Sequence, residues 1–307
     1  MKTKTSHFLR AGALVPTLLA AGLFGGCGSG ADAASGSTAA GADADVAGTA
    51  PAQSSPATAA VDRPQPAADF EGTMQQVIIS LGPDAIRSVA GSNDLATVLA
   101  LSPDKVIEAV HSGAIEADSI QKSILEIDGR MARLQVEGDA SYTILDGEQL
   151  AAYVVDTESR MIITMDPAKL AAAAAARGQD TTLVDSDVET VGKREIRGFD
   201  AVGHRFEFMG DNIATAWLSE ELESQIGPIF DVLRDVNPLG RIDVGDGAPV
   251  RTVMVNRKTL ASGGGFMPAY TITEFYDLQA GDVADGRFGL PDGYQRMGMA
   301  DLGRGAP

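Results

Sequence analysis

Soft metal ligands and basic side chains are scarce in this sequence. Its 307 residues include one cysteine, three histidines, and 24 lysines and arginines against 42 aspartates and glutamates. A single cysteine forms no internal disulfide, and so few soft ligands argue against a zinc or iron–sulfur site. A formal charge of −18 repels phosphate backbones. Because no basic stripe interleaved with aromatic residues offsets that charge, the sequence argues against nucleic-acid binding.

The sequence also lacks the motifs of common catalytic sites. Gly-x-Ser-x-Gly is absent, and beyond the leader described below only His111 and His204 remain as histidine bases. The glycine-containing stretches 245–247 and 263–265 are not followed by the helix signals that a phosphate-binding loop requires. We therefore expect turns at these glycines, and we predict that the protein is not an enzyme.

Acidic residues alternate at one point with a spacing similar to that of calcium ligands. Asp185, Asp187 and Glu189 have this spacing, but Thr190 stands where a calcium loop needs a glycine for its sharp turn. We predict neither a metal site nor a cofactor.

The N-terminal residues 1–27 are predicted to be a lipoprotein signal peptide. Three basic residues precede the apolar stretch 11–24, which is too short to span a bilayer comfortably. The segment ends in Leu-Phe-Gly-Gly-Cys, which resembles the lipobox of exported bacterial lipoproteins and implies a lipidated Cys27. An ordinary secretory signal cleaved nearby is the alternative. With Gly28 after the cysteine, the resemblance implies an outer-membrane lipoprotein that faces the periplasm, held to the membrane by its lipid anchor.

Two further segments are predicted to be disordered. Residues 28–68 consist almost entirely of Ala, Gly, Ser, Thr, Pro and Asp and contain no aromatic side chain. Such a composition cannot bury enough apolar surface to offset chain entropy. We interpret this segment as a tether and residues 300–307 as a tail, so the folded domain is predicted to span residues 69–299.

Short β-branched or aromatic runs dominate this domain and predict that it is β-rich. Asp-Gly or Gly-Asp pairs at 128–129, 138–139 and 146–147 separate several runs, as antiparallel hairpins require. The predicted strands are Phe70 to Leu81, Ser119 to Ile127, Met131 to Glu137, Ser141 to Leu145, Leu150 to Val155, Arg160 to Thr164, Val188 to Arg194, Ala201 to Met209, Ile213 to Leu218, Val250 to Thr259 and Tyr270 to Leu278.

Three predicted helices interrupt the strands. They span Ser102 to Gly113, Asp166 to Arg177, and Ser219 to Leu233. Ser102 and Ser219 are the expected N-caps, because their side chains can accept hydrogen bonds from the first turn. A kink is expected at Gly227-Pro228, since proline removes a helical hydrogen bond.

Several short motifs, each weak alone, follow one another in a specific order between residues 69 and 299. They are Asp69-Phe70-Glu71-Gly72, Asp128-Gly129-Arg130-Met131-Ala132-Arg133-Leu134, Tyr142-Thr143-Ile144-Leu145-Asp146, Tyr153-Val154-Val155-Asp156, Ile196-Arg197-Gly198-Phe199, Arg205-Phe206-Glu207-Phe208, Ala216-Trp217-Leu218, and Phe288-Gly289-Leu290-Pro291-Asp292-Gly293-Tyr294 with Met297. This order resembles the domain-of-unknown-function 4412 family, exported bacterial proteins similar to the lipoprotein-carrier superfamily of LolA and LolB type.

The resemblance carries an expected fold. It implies a mainly β protein with a strongly curved antiparallel sheet or half-open β-barrel and a few helices, suited to holding an acyl chain or presenting a surface. Residues 82–118 look like a helical insertion relative to the family. The family brings no established catalytic residues.

Six residues on the predicted strands, five aromatic and one a histidine, are the candidate ligand-binding residues. They are His204, Phe206 and Phe208 on one strand face, Trp217 on the next strand, and Tyr270 and Tyr276 on a later strand. Ordinary core packing is the alternative for each of them.

One of these strand faces mixes apolar residues with a carboxylate. Tyr270, Ile272, Tyr276 and Leu278 are predicted to share it, and Glu274 interrupts them. A buried carboxylate is costly unless it is paired. Either this face is wet or Glu274 has a cationic neighbour.

Two functions from different classes are consistent with these features. The first is a lipid-anchored envelope protein that binds a hydrophobic ligand, a lipid or an acyl chain, for carriage or sensing. The second is a module without a ligand cavity that presents its sheet to a protein partner in the periplasm or at the cell surface. A large exposed apolar patch without a cavity would favour the second.

Overall fold

The computed structural model describes the central part of the chain, in five stretches. They are residues 70–166, 187–208, 211–236, 246–263 and 267–298, and all of them belong to one compact unit. The predicted signal peptide with Cys27, the tether, the C-terminal tail, the helix after Asp166 and the side chain of Phe208 lie outside the described residues.

Twelve strands of the described chain form one curved sheet that does not close. They are β1 (Glu71–Leu81), β2 (Ser119–Asp128), β3 (Met131–Val136), β4 (Ser141–Asp146), β5 (Ala151–Asp156), β6 (Met161–Met165), β7 (Glu189–Ile196), β8 (Phe199–Phe208), β9 (Asn212–Ser219), β10 (Ala248–Asn256), β11 (Tyr270–Ala280) and β12 (Gln295–Gly298). Their order is β12-β6-β5-β4-β3-β2-β1-β11-β10-β9-β8-β7. Neighbours are antiparallel except β12 and β6, which are parallel. The predicted fold class is confirmed.

Five helices accompany this sheet in the described residues. They are α1 (Pro83–Ala90), α2 (Leu95–Leu99), α3 (Pro103–His111), α4 (Glu220–Val236) and α5 (Arg257–Ser262). Helix α3 lies within the predicted bounds, with Ser102 at the N-cap position and Pro103 in its first turn. The expected side-chain cap is wrong, because the Ser102 side chain makes no capping hydrogen bond. The Ser219 hydroxyl accepts a hydrogen bond from the Leu222 N–H at 3.4 Å, so it caps α4. Ile226, just before Gly227-Pro228, has non-helical backbone angles, and the predicted kink is confirmed.

Strands β5 and β6 are among those that begin one residue later than predicted, and in both the residue before the strand has a left-handed backbone. Leu150 and Arg160, predicted as first strand residues, have φ angles of 49° and 54°. The turn before β5 is held by the Asp146 carboxylate, which accepts the N–H groups of Glu148 and Gln149 at 3.0 and 2.9 Å. Such a turn completes the hairpin and requires the left-handed residue outside the strand.

The predicted strand Val250 to Thr259 is too long at its end. Strand β10 stops at Asn256, and Thr259 lies in α5. The Asn256 side chain accepts a hydrogen bond from the Thr259 N–H at 2.8 Å. This N-cap starts a helix inside what reads as a continuing β-branched run.

The main apolar clusters combine the sheet with different covering segments. Helix α4 contributes to a cluster with residues of β1 to β11, in which the rings of Phe230 and Phe275 meet edge to face at 5.7 Å. Helices α1, α2, α3 and α5 pack with Val77, Ile79 and Ile272 of the central strands. Leu290 and Tyr294, which precede β12, pack against β4 to β6.

A bulge corrects one predicted strand face. In β11, the pairing with β1 shifts register between Thr73 and Gln75, and Asp277 has a φ angle of 56°. An extra residue in one strand reverses which face the following side chains occupy. Leu278 therefore packs in the α4 cluster, and it does not share the face of Tyr270 and Tyr276 as predicted.

Candidate functional site

The strand register assigns each side chain in the sheet's middle to one of two faces. Directly paired residues of neighbouring strands point to the same face. Phe206 pairs with Ala214, Ala214 with Met254, and Met254 with Thr271, and we call this side the Phe206 face. Tyr270 pairs with Leu81 and Val255 on the opposite side, which we call the Tyr270 face.

The sheet separates the candidate ligand-binding residues. His204 and Phe206 lie on the Phe206 face. The side chain of Phe208 lies outside the described residues. Trp217 pairs with Arg251, which pairs with Glu274, so Trp217 lies on the Tyr270 face with Tyr270 and Tyr276. The six residues therefore do not line one cavity on one face, and ligand contact at each of them stays a prediction.

The Phe206 face carries a small apolar cluster across β8, β9 and β10. Phe206 is 1% exposed and packs with Ala214, Ala216, Leu218 and Met254. No described helix contributes a buried residue to this cluster. The cluster is buried, with Met267 packed against it, and it spans three neighbouring strands.

Buried polar side chains lie on the same face of the sheet. Thr271 pairs with Met254 beside this cluster, whereas Gln76 pairs with Phe275, which belongs to the α4 cluster. Gln76 is 1% exposed, and its Nε2 and Oε1 atoms have no hydrogen-bond partner in the described part of the chain. Two hydroxyl groups on this face also lack partners among the described residues. They belong to Ser123, which pairs with Gln76, and to Thr271 of β11. Leaving a buried polar group unsatisfied costs about 1–3 kcal/mol. Donors and acceptors without partners among the described residues are thus present on the same face as the apolar cluster.

Trp217 lies on the Tyr270 face by register and packs in the cluster that contains α4. It is 4% exposed, and the Arg194 guanidinium lies 4.0 Å from its ring centroid. Gly203 stands directly opposite, and a Cβ atom there would approach the indole to 2.7 Å. The lack of a side chain at Gly203 makes room for the indole ring.

The two tyrosines of the Tyr270 face have different surroundings. Tyr270 is 1% exposed, its hydroxyl has no hydrogen-bond partner among the described residues, and burial raises its pKa well above the ordinary value. Tyr276 is half-buried, with the Arg197 guanidinium 5.4 Å from its ring centroid. Tyr270 is therefore a core residue, whereas the ring of Tyr276 makes a cation–π contact with Arg197.

A buried ion network occupies the centre of the Tyr270 face. Glu274 is fully buried and accepts hydrogen bonds from Arg251 Nε at 2.7 Å and from Arg197 Nε at 2.5 Å. Arg251 Nη2 lies 2.6 Å from Glu274 and 2.8 Å from Asp104 of α3. Of the two alternatives for Glu274, the structure shows the cationic neighbour.

Two open clefts flank the β7–β8 hairpin. One, of about 630 Å³, lies between α3 and the hairpin, and Arg251 lines it together with Ile107 and Ile196. The other, of about 670 Å³, is lined by His204 and by charged residues of β7 and α4. His204 thus borders a charged cleft.

The sequence prediction missed the Arg251–Glu274 pair and Gln76. A signal for the pair was present, since Arg251 in β10 and Glu274 in β11 are charges of opposite sign within apolar runs. No sequence pattern marks Gln76 as buried, because Gln75 beside it differs only in the face it occupies.

The described residues contain no group of histidine, cysteine or acidic residues arranged to hold a metal ion. They also contain no helix of the length and apolarity needed to cross a membrane.

The fold places the chain in a class, a mainly β protein built on one curved, unclosed sheet with helices on it. No family model and no curated protein matches the chain. It is similar to an uncharacterized conserved protein from Thermus thermophilus, at 7% identity and a TM-score of 0.34, over 74% of this chain and 90% of that one.

Two other solved structures show a similar degree of likeness. A LolA superfamily protein from Nitrosomonas europaea is 11% identical, with a TM-score of 0.30 over 72% of this chain and 90% of that one. A domain-of-unknown-function 1329 protein from Desulfovibrio piger is 9% identical, with a TM-score of 0.29 over the same shares. Likeness at this level assigns no function, and membership of the 4412 family stays a prediction.

Proposed function

We propose that the chain is a lipid-anchored protein of the bacterial cell envelope that binds a hydrophobic ligand, a lipid or an acyl chain, for carriage or sensing. The proposed ligand site is the Phe206 face. The observation that carries the proposal is the combination, on this one face, of an apolar cluster with buried polar atoms that lack partners.

A lipid needs both kinds of surface. Its acyl chain gains about 0.8 kcal/mol for each CH₂ group removed from water against apolar side chains such as Phe206 and Met254. Its ester or amide group needs hydrogen-bond partners once buried. Gln76 supplies a donor and an acceptor, and Ser123 and Thr271 supply hydroxyl groups on the same face.

The envelope location rests on the sequence. A basic and apolar leader that ends in a lipobox-like motif at Cys27 supports export and acylation, and a long polar tether would hold the domain away from the membrane. The formal charge of −18 opposes binding to anionic lipid surfaces, so the anchor would do the holding.

A substitution that removes polar atoms while keeping shape tests the ligand site. We expect saturable binding of a dansyl-labelled fatty acid to the purified chain, followed by fluorescence, and weaker binding to Gln76→Met. Thr164→Val, on the Tyr270 face of β6, is the matched control and should bind like wild type.

Two results would contradict the proposal. Absence of saturable binding of the labelled fatty acid to folded wild-type protein would contradict the proposed binding of a hydrophobic ligand. If Gln76→Met bound the probe as wild type does and was more stable in urea, the amide would be a structural defect with no ligand contact.

A further inference from the structure

The cleft between α3 and the β7–β8 hairpin carries a feature that the proposed function leaves unused. Arg251 lines this cleft and is 3% exposed, and its Nη1 atom has no hydrogen-bond partner among the described residues. The other two nitrogens of the guanidinium are held by Glu274 and Asp104. Arg251, which lines the cleft, therefore carries a fixed, desolvated donor, and a buried donor of this kind favours an acceptor from a ligand.

The charges around the cleft select against an anion as that ligand. Arg251 and Arg197 are balanced by Glu274 and Asp104 within the network. Glu108 of α3 and Glu195 of β7 also line the cleft, are exposed, and form no ion pair with the described residues. With the network neutral, these two carboxylates leave the cleft negative, which attracts cations.

The hairpin turn fixes one wall of the cleft. Arg197 and Gly198 have φ angles of 54° and 86°, as a two-residue turn of type I′ requires. Ile196 is 3% exposed and Ile107 is 9% exposed, so each wall has a buried apolar residue beside an exposed carboxylate. The cleft thus offers a donor, apolar contacts and two free carboxylates together.

We propose that this cleft binds a basic peptide segment of a protein partner. A backbone carbonyl would accept from Arg251 Nη1, and a lysine or arginine side chain would pair with Glu108 and Glu195. A peptide supplies the neutral acceptor and the cation in one ligand, which neither a free anion nor a free amine does. This inference is independent of the ligand proposed for the Phe206 face.

Titration calorimetry on the full chain tests the proposal with three probes. They are an acetylated and amidated peptide of alternating lysine and alanine, the same peptide with glutamine in place of lysine, and spermidine, a cation without carbonyl groups. We expect the lysine peptide to bind most tightly, and to bind more weakly as salt rises.

Paired variants locate the binding. In Glu108→Gln/Glu195→Gln, we expect the dissociation constant of the lysine peptide to rise about fivefold, the factor for two exposed ion pairs. Glu137→Gln/Glu148→Gln removes two exposed carboxylates in turns outside the cleft and should change it less than about twofold. Arg251→Lys should weaken binding of the lysine peptide but leave spermidine unchanged.

Two outcomes overturn the proposal. Equal losses in the two double variants would mean that an acidic protein attracts cations without a site. Spermidine binding as tightly as the peptide would mean a free amine as ligand. If Arg251→Lys fails to fold, the exposed double variants, which touch no buried contact, still decide the result.

Discussion

Glu274 is a charged residue in the protein interior. It is fully buried, and two arginines compensate its charge. Removing one partner of a buried pair leaves the other charges uncompensated, which costs about 3–5 kcal/mol. We therefore expect Glu274→Gln to lower the free energy of unfolding by that amount in urea titrations, while Glu108→Gln, exposed and unpaired, changes it by less than about 0.5 kcal/mol. Equal midpoints for Glu274→Gln and wild type would contradict the network.

Gly203 is the second residue with a specific steric role. A methyl group there would approach the Trp217 ring and Val191 Cγ2 to 2.7 Å, closer than carbon atoms pack. Gly203→Ala should therefore destabilise the protein by about 1–3 kcal/mol through overpacking. Gly281→Ala is the matched control, because a Cβ atom at Gly281 meets no atom within 4 Å. A change in the emission maximum of Trp217 in Gly203→Ala, with no change in Gly281→Ala, would locate the overpacking at the indole ring.

Both an ion pair and apolar packing attach the segment before β12 to the sheet. Arg287 donates to both carboxylate oxygens of Glu126 on β2, at 2.6 to 3.0 Å, and Arg133 donates to the same carboxylate at 3.1 Å. Burial opposes ionisation of Glu126, but these arginines outweigh it and lower its pKa from the ordinary 4.5.

A lowered pKa makes this contact depend on pH in a known direction. The stabilisation is complete above the unfolded-state pKa and is lost as pH falls through the lower folded-state value. We expect wild type to exceed Glu126→Gln in stability at neutral pH, and the difference to shrink below about pH 4.5. A difference that stays constant down to the acid transition of the protein would show that Glu126 acts through packing alone.

At the same scale, local patterns predicted ten of the eleven proposed strands to within two residues at each end. They succeeded because turn residues and β-branched runs report hairpins locally. They missed β12, a four-residue edge strand with little β-branched character that forms by pairing parallel to β6. Helix α5 was missed because Asn256 looked like a strand residue, although it is also a good N-cap.

The candidate site was less predictable than the strands. Period-two alternation placed His204 and Phe206 correctly on one face. It could not show that Trp217 and Tyr270 occupy the other face, because that depends on which strands are neighbours and in which register. Leu278 changed face through a bulge that no local pattern marks.

For the whole molecule, the proposed anchor makes a direct prediction. If Cys27 is acylated, cells fed radiolabelled palmitate should label the wild-type protein but not Cys27→Ser, and wild type should fractionate with membranes. Gly28→Ala, which leaves the cysteine in place, is the control and should remain labelled. Equal labelling of wild type and Cys27→Ser would contradict the anchor.

The central claim is that the sheet binds a hydrophobic ligand, and native mass spectrometry tests it most directly. The chain carrying Cys27→Ser would be exported, purified without detergent and measured intact, and its organic extract would be analysed for lipids. The account predicts a stoichiometric adduct that is recovered in the extract and depleted in Gln76→Met. A bare protein mass at good signal, with no lipid in the extract, would contradict it.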